Sequence, residues 1–204
     1  MKINKLLIAT HNPGKFAESQ KLLNSAGIET TSLSDLGISK DYEETGETYE
    51  ENAMAKAKFY YNLAKIPTIA DDSGLSVDAL DGEPGVHSRT WPGYTATDEE
   101  LLEMILDKMK DIPKEKRLAQ FITVIALFDG QEEFMARGEQ SGIITDKAES
   151  VMDKGLPYSA VFHPMGCDKV FSQLSIEEKN AISHRGRALN KIIKKLSAKG
   201  GVNK

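Results

Sequence analysis

The stretch LLIATHNPGKF, residues 6–16, combines a strand, a loop and the start of a helix. Its first five residues form a short apolar run that a turn signal ends, and such a run is typical of a buried strand. From residue 16 to residue 26, apolar residues recur at helical spacing, and Gly27 then ends the pattern. This strand-loop-helix unit indicates an α/β protein.

Further strand candidates follow along the chain, and they lie at residues 28–33, 67–70, 120–128 and 133–141. The second of them runs directly into Asp71-Asp72-Ser73-Gly74, where we expect the strand to end because acidic and small polar residues replace apolar ones. Asp129-Gly130 is a strong hairpin turn, so the last two strands are expected to pair antiparallel.

Capping residues mark the predicted helix starts, at Thr48, Thr97, Ser175 and Ser183. With the strands, they predict an α/β fold that has a mixed sheet and flanking helices. No Pro- or Gly-rich linker divides the chain. We therefore expect a single domain of two lobes over residues 1–197, followed by a flexible tail at residues 198–204.

Composition and charge narrow the class of protein. The chain has 204 residues, of which 40% are hydrophobic and 28% charged, as in ordinary soluble globular proteins. Its net charge of -5 argues against general nucleic-acid affinity, which comes chiefly from lysine and arginine. The lone Cys167 cannot form an internal disulfide, and nothing resembles a signal peptide or membrane span. We expect a cytoplasmic protein that binds neither nucleic acid nor membrane.

The loop at residues 10–15 is a candidate anion site. Asn12 can cap a helix that starts at Pro13, which leaves backbone N–H groups free to face a ligand. The Thr10 hydroxyl, the Asn12 amide and the Lys15 ammonium add donors that suit a triphosphate. The Walker spacing is absent. A plain helix cap with a solvated lysine is the alternative.

Two acidic pairs, Glu43-Glu44 and Asp71-Asp72, form a second candidate site. Carboxylates that meet across a cleft can bind Mg²⁺ and leave its other positions to water and phosphate oxygens. Either pair alone is compatible with a solvated turn. Adjacent carboxylates at the end of an apolar strand, however, repel one another unless cations or hydrogen-bond donors compensate.

The third candidate site lies near the C-terminus, where Lys179 and Ser183 are four residues apart and Ser183 can cap the last helix. His184 and Arg185 at a helix start are unfavourable with the helix dipole, and a bound anion would relieve this. The alternative is a surface cap beside an ion pair from Lys179 to Glu177 or Glu178.

In this order, the segments resemble the Ham1 or inosine triphosphate pyrophosphatase family. The residues that carry the resemblance are THNPGK at 10–15, EETG at 43–46, ENA at 51–53, ADDSGL at 70–75, PGV at 84–86 and EKNAISHRG at 178–186. The resemblance implies an elongated, two-lobed α/β fold with a central cleft, and a homodimer. It implies a Mg²⁺-dependent hydrolase that converts purine nucleoside triphosphates such as ITP, dITP and XTP to the monophosphate and pyrophosphate, with water as nucleophile.

The resemblance also implies roles for single residues. Asp72 would be the general base and a metal ligand, and Glu44 would help to hold one or more Mg²⁺ ions. The phosphates would contact Thr10, His11, Asn12, Pro13, Gly14 and Lys15, with Ser73 also touching substrate. The base and neighbouring groups would contact Leu156, Pro157, Tyr158, Ser159, Lys179, His184 and Arg185.

Two stretches depart from the family pattern. GLPYSA at residues 155–160 stands where the family usually has GFGYDP, so Leu156 cannot stack on a purine as phenylalanine does, and neutral Ser159 replaces a carboxylate. SRTW at residues 88–91 stands where the family usually has SARY, so Arg89 is one place early. On a strand, that shift would turn it to the opposite face.

Two alternatives stay open beside the leading hypothesis. One is the same chemistry with altered or broad base specificity, and the other is a nucleotide-binding module without turnover. A nucleic-acid-binding protein is disfavoured by the acidic balance.

Overall fold

A mixed six-stranded sheet forms the centre of the structure, a computed structural model that describes residues 5–198. The strands are β1 (Lys5–Ile8), β2 (Glu29–Ser32), β3 (Thr68–Val77), β4 (Leu118–Phe128), β5 (Glu133–Ile144) and β6 (Phe162–Pro164). The α-helices of the described chain are α1 (Pro13–Ser25), α2 (Tyr49–Ala64), α3 (Asp98–Met109), α4 (Ile176–Ile182) and α5 (His184–Ala198).

The strand order is β2-β1-β3-β4-β5-β6, and β1 is parallel to both of its neighbours. The β1-β3 register ends with the pairs Leu7–Thr68 and Ile8–Ile69, whereas β3 continues along β4 as far as Val77. The sheet therefore opens beyond the carboxyl end of β1. There the chain leaves β1 toward β2 on one side, whereas it leaves β3 toward β4 on the other side. Ligands of open α/β sheets bind in such crevices.

Helices cover both faces of this sheet. Leu6 and Ile8 of β1 pack into a core with α1 and α5, while Leu7 packs into a second core with α2. This alternation follows from the two-residue period of a strand. Further along β3 and β4, α3 buries Leu101 and Ile105 in a third core.

The predicted α/β class with a mixed sheet and flanking helices is confirmed, as are the β4-β5 hairpin, the capping boxes at Thr48 and Thr97 and the helix cap at Ser175. The predicted end of the third strand at Asp71 is wrong. β3 runs through Asp71-Asp72-Ser73-Gly74 to Val77, because these polar residues pair with β4 in the interior.

The predicted tail at residues 198–204 lies outside the described residues except for Ala198, which ends α5. One domain over residues 1–197 stays a prediction. Within residues 5–198, none of the helices has the length and apolar character needed to cross a bilayer.

Candidate active site

The loop after β1 is held in shape by Asn12. Its side-chain oxygen accepts the Lys15 N–H at 3.1 Å, and its amide donates to the Gly155 carbonyl at 2.7 Å. The Asn12 N–H donates to Thr10 Oγ1 at 3.1 Å, while the neighbouring His11 is exposed. The predicted cap is therefore confirmed, and it also ties α1 to a distant loop.

Asp71 is the centre of a buried charge cluster. Its carboxylate lies 3.4 Å from Lys15 Nζ and accepts from Arg185 Nε at 3.2 Å. Arg185 is 2% exposed and also pairs with the buried Glu18 of α1, and it donates to Ser73 Oγ at 3.4 Å. Burial alone would raise the pKa of Asp71, but the positive charges of Lys15 and Arg185 outweigh it and hold that pKa well below its ordinary value.

Asp72 lies in a different environment. Its carboxylate accepts from Asn52 Nδ2 of α2 at 3.1 Å and from the Ser73 N–H at 2.9 Å. Burial, followed by the negative charge of Glu44, raises the pKa of Asp72 to about 6. A buried carboxylate that titrates near neutral pH can accept a proton from water.

Lys56 of α2 also lies in the site, although no sequence motif predicted a role for it. It donates to Glu44 Oε1 and, at 3.0 Å, to the Asp71 carbonyl. Burial alone would lower the pKa of Lys56, but the charges of Glu44 and Asp71 raise it, so the ammonium stays charged. Asn52 and Lys56 are one helical turn apart, beside the buried Ala53. This polar i, i+4 pair next to a buried position was the sequence feature that could have predicted their place in the site.

The predicted metal ligands Asp72 and Glu44 are brought close enough for the charge of one to raise the pKa of the other. Within residues 5–198, no group of three or more His, Cys, Asp or Glu side chains is placed to hold a metal ion. That Asp72 and Glu44 hold a metal ion therefore stays a prediction.

The loop at residues 153–160 packs directly on the start of α1. A Cβ added to Gly14 would lie 2.9 Å from Leu156 Cδ1, so Gly14 permits this close approach. Gly155 has a φ of 78°, a conformation that glycine adopts readily. Pro157 begins a short 3-10 helix in which Tyr158 and Ser159 are buried. The predicted phosphate and base regions are thus adjacent.

The three residues predicted near the C-terminus are buried. Lys179 pairs with Asp153 at 2.5 Å, so the alternative of a surface ion pair to Glu177 or Glu178 is wrong. The His184 ring stacks on Phe121 with centroids 4.8 Å apart. Burial and then the charge of Arg185 hold the pKa of His184 well below its ordinary value, so this ring is neutral. Direct contact of these residues with substrate stays a prediction.

The stretch SRTW at residues 88–91 forms turns, so the argument from strand faces does not apply to Arg89. Arg89 instead pairs with Asp98 at the start of α3. The other oxygen of Asp98 accepts the Gly155 N–H at 2.7 Å. Both departures from the family pattern are therefore linked through one carboxylate.

Comparisons with known proteins agree with this arrangement. A family model described as the Ham1 family matches residues 6–195. A dITP/XTP pyrophosphatase from Caldanaerobacter subterraneus is 42% identical over 92% of this chain and 94% of its own length.

Two solved structures share the fold. The Ham1 protein of Staphylococcus aureus has a TM-score of 0.79 and 35% identity, over 96% of this chain and 99% of its own. A HAM1 protein from Coxiella burnetii has a TM-score of 0.81 and 33% identity, over 97% of this chain and 100% of its own. The match in each case extends over nearly the whole molecule.

Proposed function

The chain belongs to the Ham1 family, and we propose from that membership that it hydrolyses the non-canonical purine nucleotides ITP, dITP and XTP to the monophosphate and pyrophosphate. It would thereby remove them from the nucleotide pool. The observation that carries the proposal is the pair Asp72 and Glu44, which repel one another beside Lys15, Lys56 and the α1 N-terminus.

Asp72 is the group that activates water in this proposal. Its pKa of about 6 leaves the carboxylate largely ionised at neutral pH, yet basic enough to take a proton from an attacking water. The Asn52 amide at 3.1 Å fixes one carboxylate oxygen and so orients the other. Attack of this water on the α-phosphorus breaks the bond to the bridging oxygen, and pyrophosphate leaves.

The cations and backbone donors around the α1 N-terminus bind the phosphates in this proposal. Lys15 Nζ is 3.4 Å from the Asp71 carboxylate. Asp71 therefore holds the ammonium in place, and Asp72 is not needed as its partner. The N–H groups at the start of α1 and the Thr10 hydroxyl supply neutral donors. These groups favour the leaving pyrophosphate because its negative charge grows as the bond breaks.

The donor set fits Mg²⁺. This ion is usually bound by one or two carboxylates and keeps several waters and phosphate oxygens, and the mutual repulsion of Asp72 and Glu44 is what a cation between them would relieve. Asp72 and Glu44 would hold the ion, which would screen the phosphate charge and lower the pKa of a bound water.

Three finer statements belong to the same proposal. The homodimer rests on the family resemblance. The cytoplasmic location rests on the single cysteine and the composition, and the lack of nucleic-acid binding rests on the net charge of -5.

The test is a panel of ITP, dITP, XTP, ATP and GTP with Mg²⁺, in which pyrophosphate and orthophosphate are measured separately. We expect pyrophosphate from the first three substrates and much slower turnover of ATP and GTP. The Asp72→Asn protein is the control and should release neither product.

Three outcomes would count against the proposal. Orthophosphate alone would exclude attack at the α-phosphorus. Equal rates on ITP, ATP and GTP would exclude selection of non-canonical purines. Tight binding of triphosphates without any turnover would show a nucleotide-binding module instead.

A further inference from the structure

Glu44, one of the two predicted metal ligands, lies in the segment that connects β2 to α2. Residues 38–46 of this segment form neither helix nor strand. The Glu44 side chain is 36% exposed, so burial does not fix its position. Without other anchors, a metal ion that binds Glu44 would have to order this part of the chain, which costs conformational entropy. The structure supplies such anchors on α2.

Three polar side chains of α2 hold the segment, at positions four residues apart. Two of them also contact the predicted metal ligands. Asn52 accepts the Gly46 N–H at 2.8 Å and donates both to the Gly46 carbonyl at 3.2 Å and to Asp72 at 3.1 Å. Lys56 donates to Glu44. These two side chains therefore belong to the site already described.

Tyr60, the third anchor, lies one helical turn beyond Lys56 and holds the segment by its backbone. Its side chain is 1% exposed, and its hydroxyl donates to the Lys40 carbonyl at 3.1 Å and lies 3.4 Å from Asp41 Oδ1. Burial and then the charge of Asp41 raise the pKa of Tyr60 to about 12, so the hydroxyl keeps its proton and donates at neutral pH. Tyr60 thus fixes the path of the chain rather than a single side chain.

The carbonyl that Tyr60 holds also lies beside the loop at residues 10–15. His11 Nε2 is 3.4 Å from the Lys40 oxygen, and the rings of His11 and Tyr60 meet edge to face with centroids 6.2 Å apart. Residues 40–46 therefore run from the predicted phosphate site at one end to the Asn52 contact at the other. Glu44 lies between these two anchors, four residues after Lys40.

We propose that Tyr60 is a positioning residue for Glu44: by holding the Lys40 carbonyl, it keeps the Glu44 carboxylate near Asp72 and so raises the affinity of the site for a divalent cation. This inference rests on the proposed function, in which these two carboxylates hold Mg²⁺. Like charges favour separation, and an anchor on the chain before Glu44 opposes it. A cation then binds a pair that is already close, so less of its binding free energy is lost to ordering the chain.

The test measures metal binding apart from turnover. Mn²⁺ is the probe in place of Mg²⁺, because the EPR signal of the free ion is lost on binding and gives a dissociation constant without nucleotide. In Tyr60→Phe, which removes only the hydroxyl, this constant should rise about 10-fold, as expected when a metal ligand loses an orienting partner. In assays with ITP, the Mg²⁺ concentration for half-maximal rate should rise by a similar factor, and saturating Mg²⁺ should restore kcat.

A double-mutant cycle determines whether Tyr60 acts through Glu44. Glu44→Gln should weaken Mn²⁺ binding more than Tyr60→Phe does, since it removes the carboxylate itself. Addition of Tyr60→Phe to Glu44→Gln should then cause little further loss, because no carboxylate remains to be positioned. Losses that add in full would overturn the inference.

Tyr61→Phe is the matched control, because it removes a hydroxyl from the next residue of α2. The Tyr61 ring meets Phe128 edge to face with centroids 5.0 Å apart, and its hydroxyl lies against Gly130. This variant should leave Mn²⁺ binding and the Mg²⁺ dependence unchanged. Thermal melts in EDTA establish that each variant is folded at the assay temperature. A lower Tm for Tyr60→Phe with an unchanged Mn²⁺ affinity would show a purely structural role and overturn the inference.

The outcomes also distinguish this inference from the proposed function. If ITP yields pyrophosphate and Glu44→Gln weakens Mn²⁺ binding, an unchanged affinity in Tyr60→Phe overturns the inference alone. If no triphosphate is turned over but Mn²⁺ binds, the proposed function fails, and weaker binding in Tyr60→Phe still supports the positioning role. If Glu44→Gln binds Mn²⁺ as tightly as the unaltered protein, Glu44 is not a ligand and the inference is overturned with that assignment.

Discussion

Asp71 and Asp72 are consecutive residues of β3, and their side chains lie on opposite faces of the sheet. Asp71 contacts Lys15 of α1 and Arg185 of α5, whereas Asp72 contacts Asn52 of α2. Successive side chains of a strand point to opposite faces of the sheet, which explains why the two aspartates have different neighbours. The two carboxylates therefore make their direct contacts with different side chains.

This division pushes their pKa values apart. Cations hold the pKa of Asp71 below its ordinary value, while burial and Glu44 raise that of Asp72 to about 6. Pairs of carboxylates with such divergent environments commonly divide into a fixed charge and a proton acceptor. Substitution of each aspartate by asparagine separates these two roles.

Asp72→Asn should abolish turnover and stabilise the metal-free protein. Loss of a general base costs about 100- to 10,000-fold in rate. The raised pKa of Asp72 corresponds to a penalty of roughly 3 kcal/mol for holding the charged form, and the loss of one accepted hydrogen bond offsets roughly 1 kcal/mol of the gain. Urea unfolding in EDTA at pH 8 should show a net gain of roughly 2 kcal/mol.

The pH dependence of that gain has a definite sign. Because the folded pKa of Asp72, about 6, exceeds the ordinary value of 3.8, the penalty is complete above pH 6 and vanishes below pH 3.8. The advantage of Asp72→Asn should therefore shrink between these limits. An advantage that is constant from pH 8 to pH 4 would contradict the assignment.

Asp71→Asn should destabilise the fold, in contrast to its neighbour. Arg185 is 2% exposed and would keep only Glu18 as a charged partner, so the free energy of unfolding at pH 7 should fall by roughly 3 kcal/mol. The pKa of Asp71 is depressed, so its contribution is present above pH 3.8 and is lost as the pH falls further. Urea unfolding at pH 7, 5 and 3.5 measures this, and Asp107→Asn, in an exposed pair, should have no effect.

Lys56→Met should reduce kcat/KM by roughly 100-fold, because the ammonium beside Glu44 and the Asp71 carbonyl compensates negative charge where the phosphates are expected. Lys58→Met is the matched control. It lies two residues further along α2 and pairs with Glu133 on the surface, so steady-state rates with ITP should not change. Equal losses in the two variants would point to a general effect of net charge.

Local features of this fold could be predicted from the sequence. Capping boxes, the hairpin turn and the strand before the Asn12 cap depend on residues within a few positions of one another. The strand end predicted at residues 71–74 is wrong because polar residues normally mark a strand end. Here Asp71 and Asp72 continue a strand, since partners from three helices compensate their burial.

The contacts that assemble the site could not be predicted in the same way. Arg185 pairs with Glu18, 167 positions away, and Asn12 bonds to Gly155, 143 positions away. No local pattern encodes such pairs, because they depend on how α1, α5 and the loop after β5 pack together. The pairing of Asp153 with Lys179 could not be predicted for the same reason, since the two residues lie on different elements.

Asp98→Ala should raise KM for ITP about 10-fold with little change in kcat. Asp98 accepts the Gly155 N–H at 2.7 Å and pairs with Arg89, so its loss frees the loop at residues 153–160 without touching Asp72. Glu99→Ala removes the same charge from the first turn of α3 and matches any change in the helix dipole. Steady-state kinetics should show an unchanged KM for that control. An equal rise in both variants would assign the effect to α3 itself, and a fall in kcat alone would show that Asp98 acts on the chemical step.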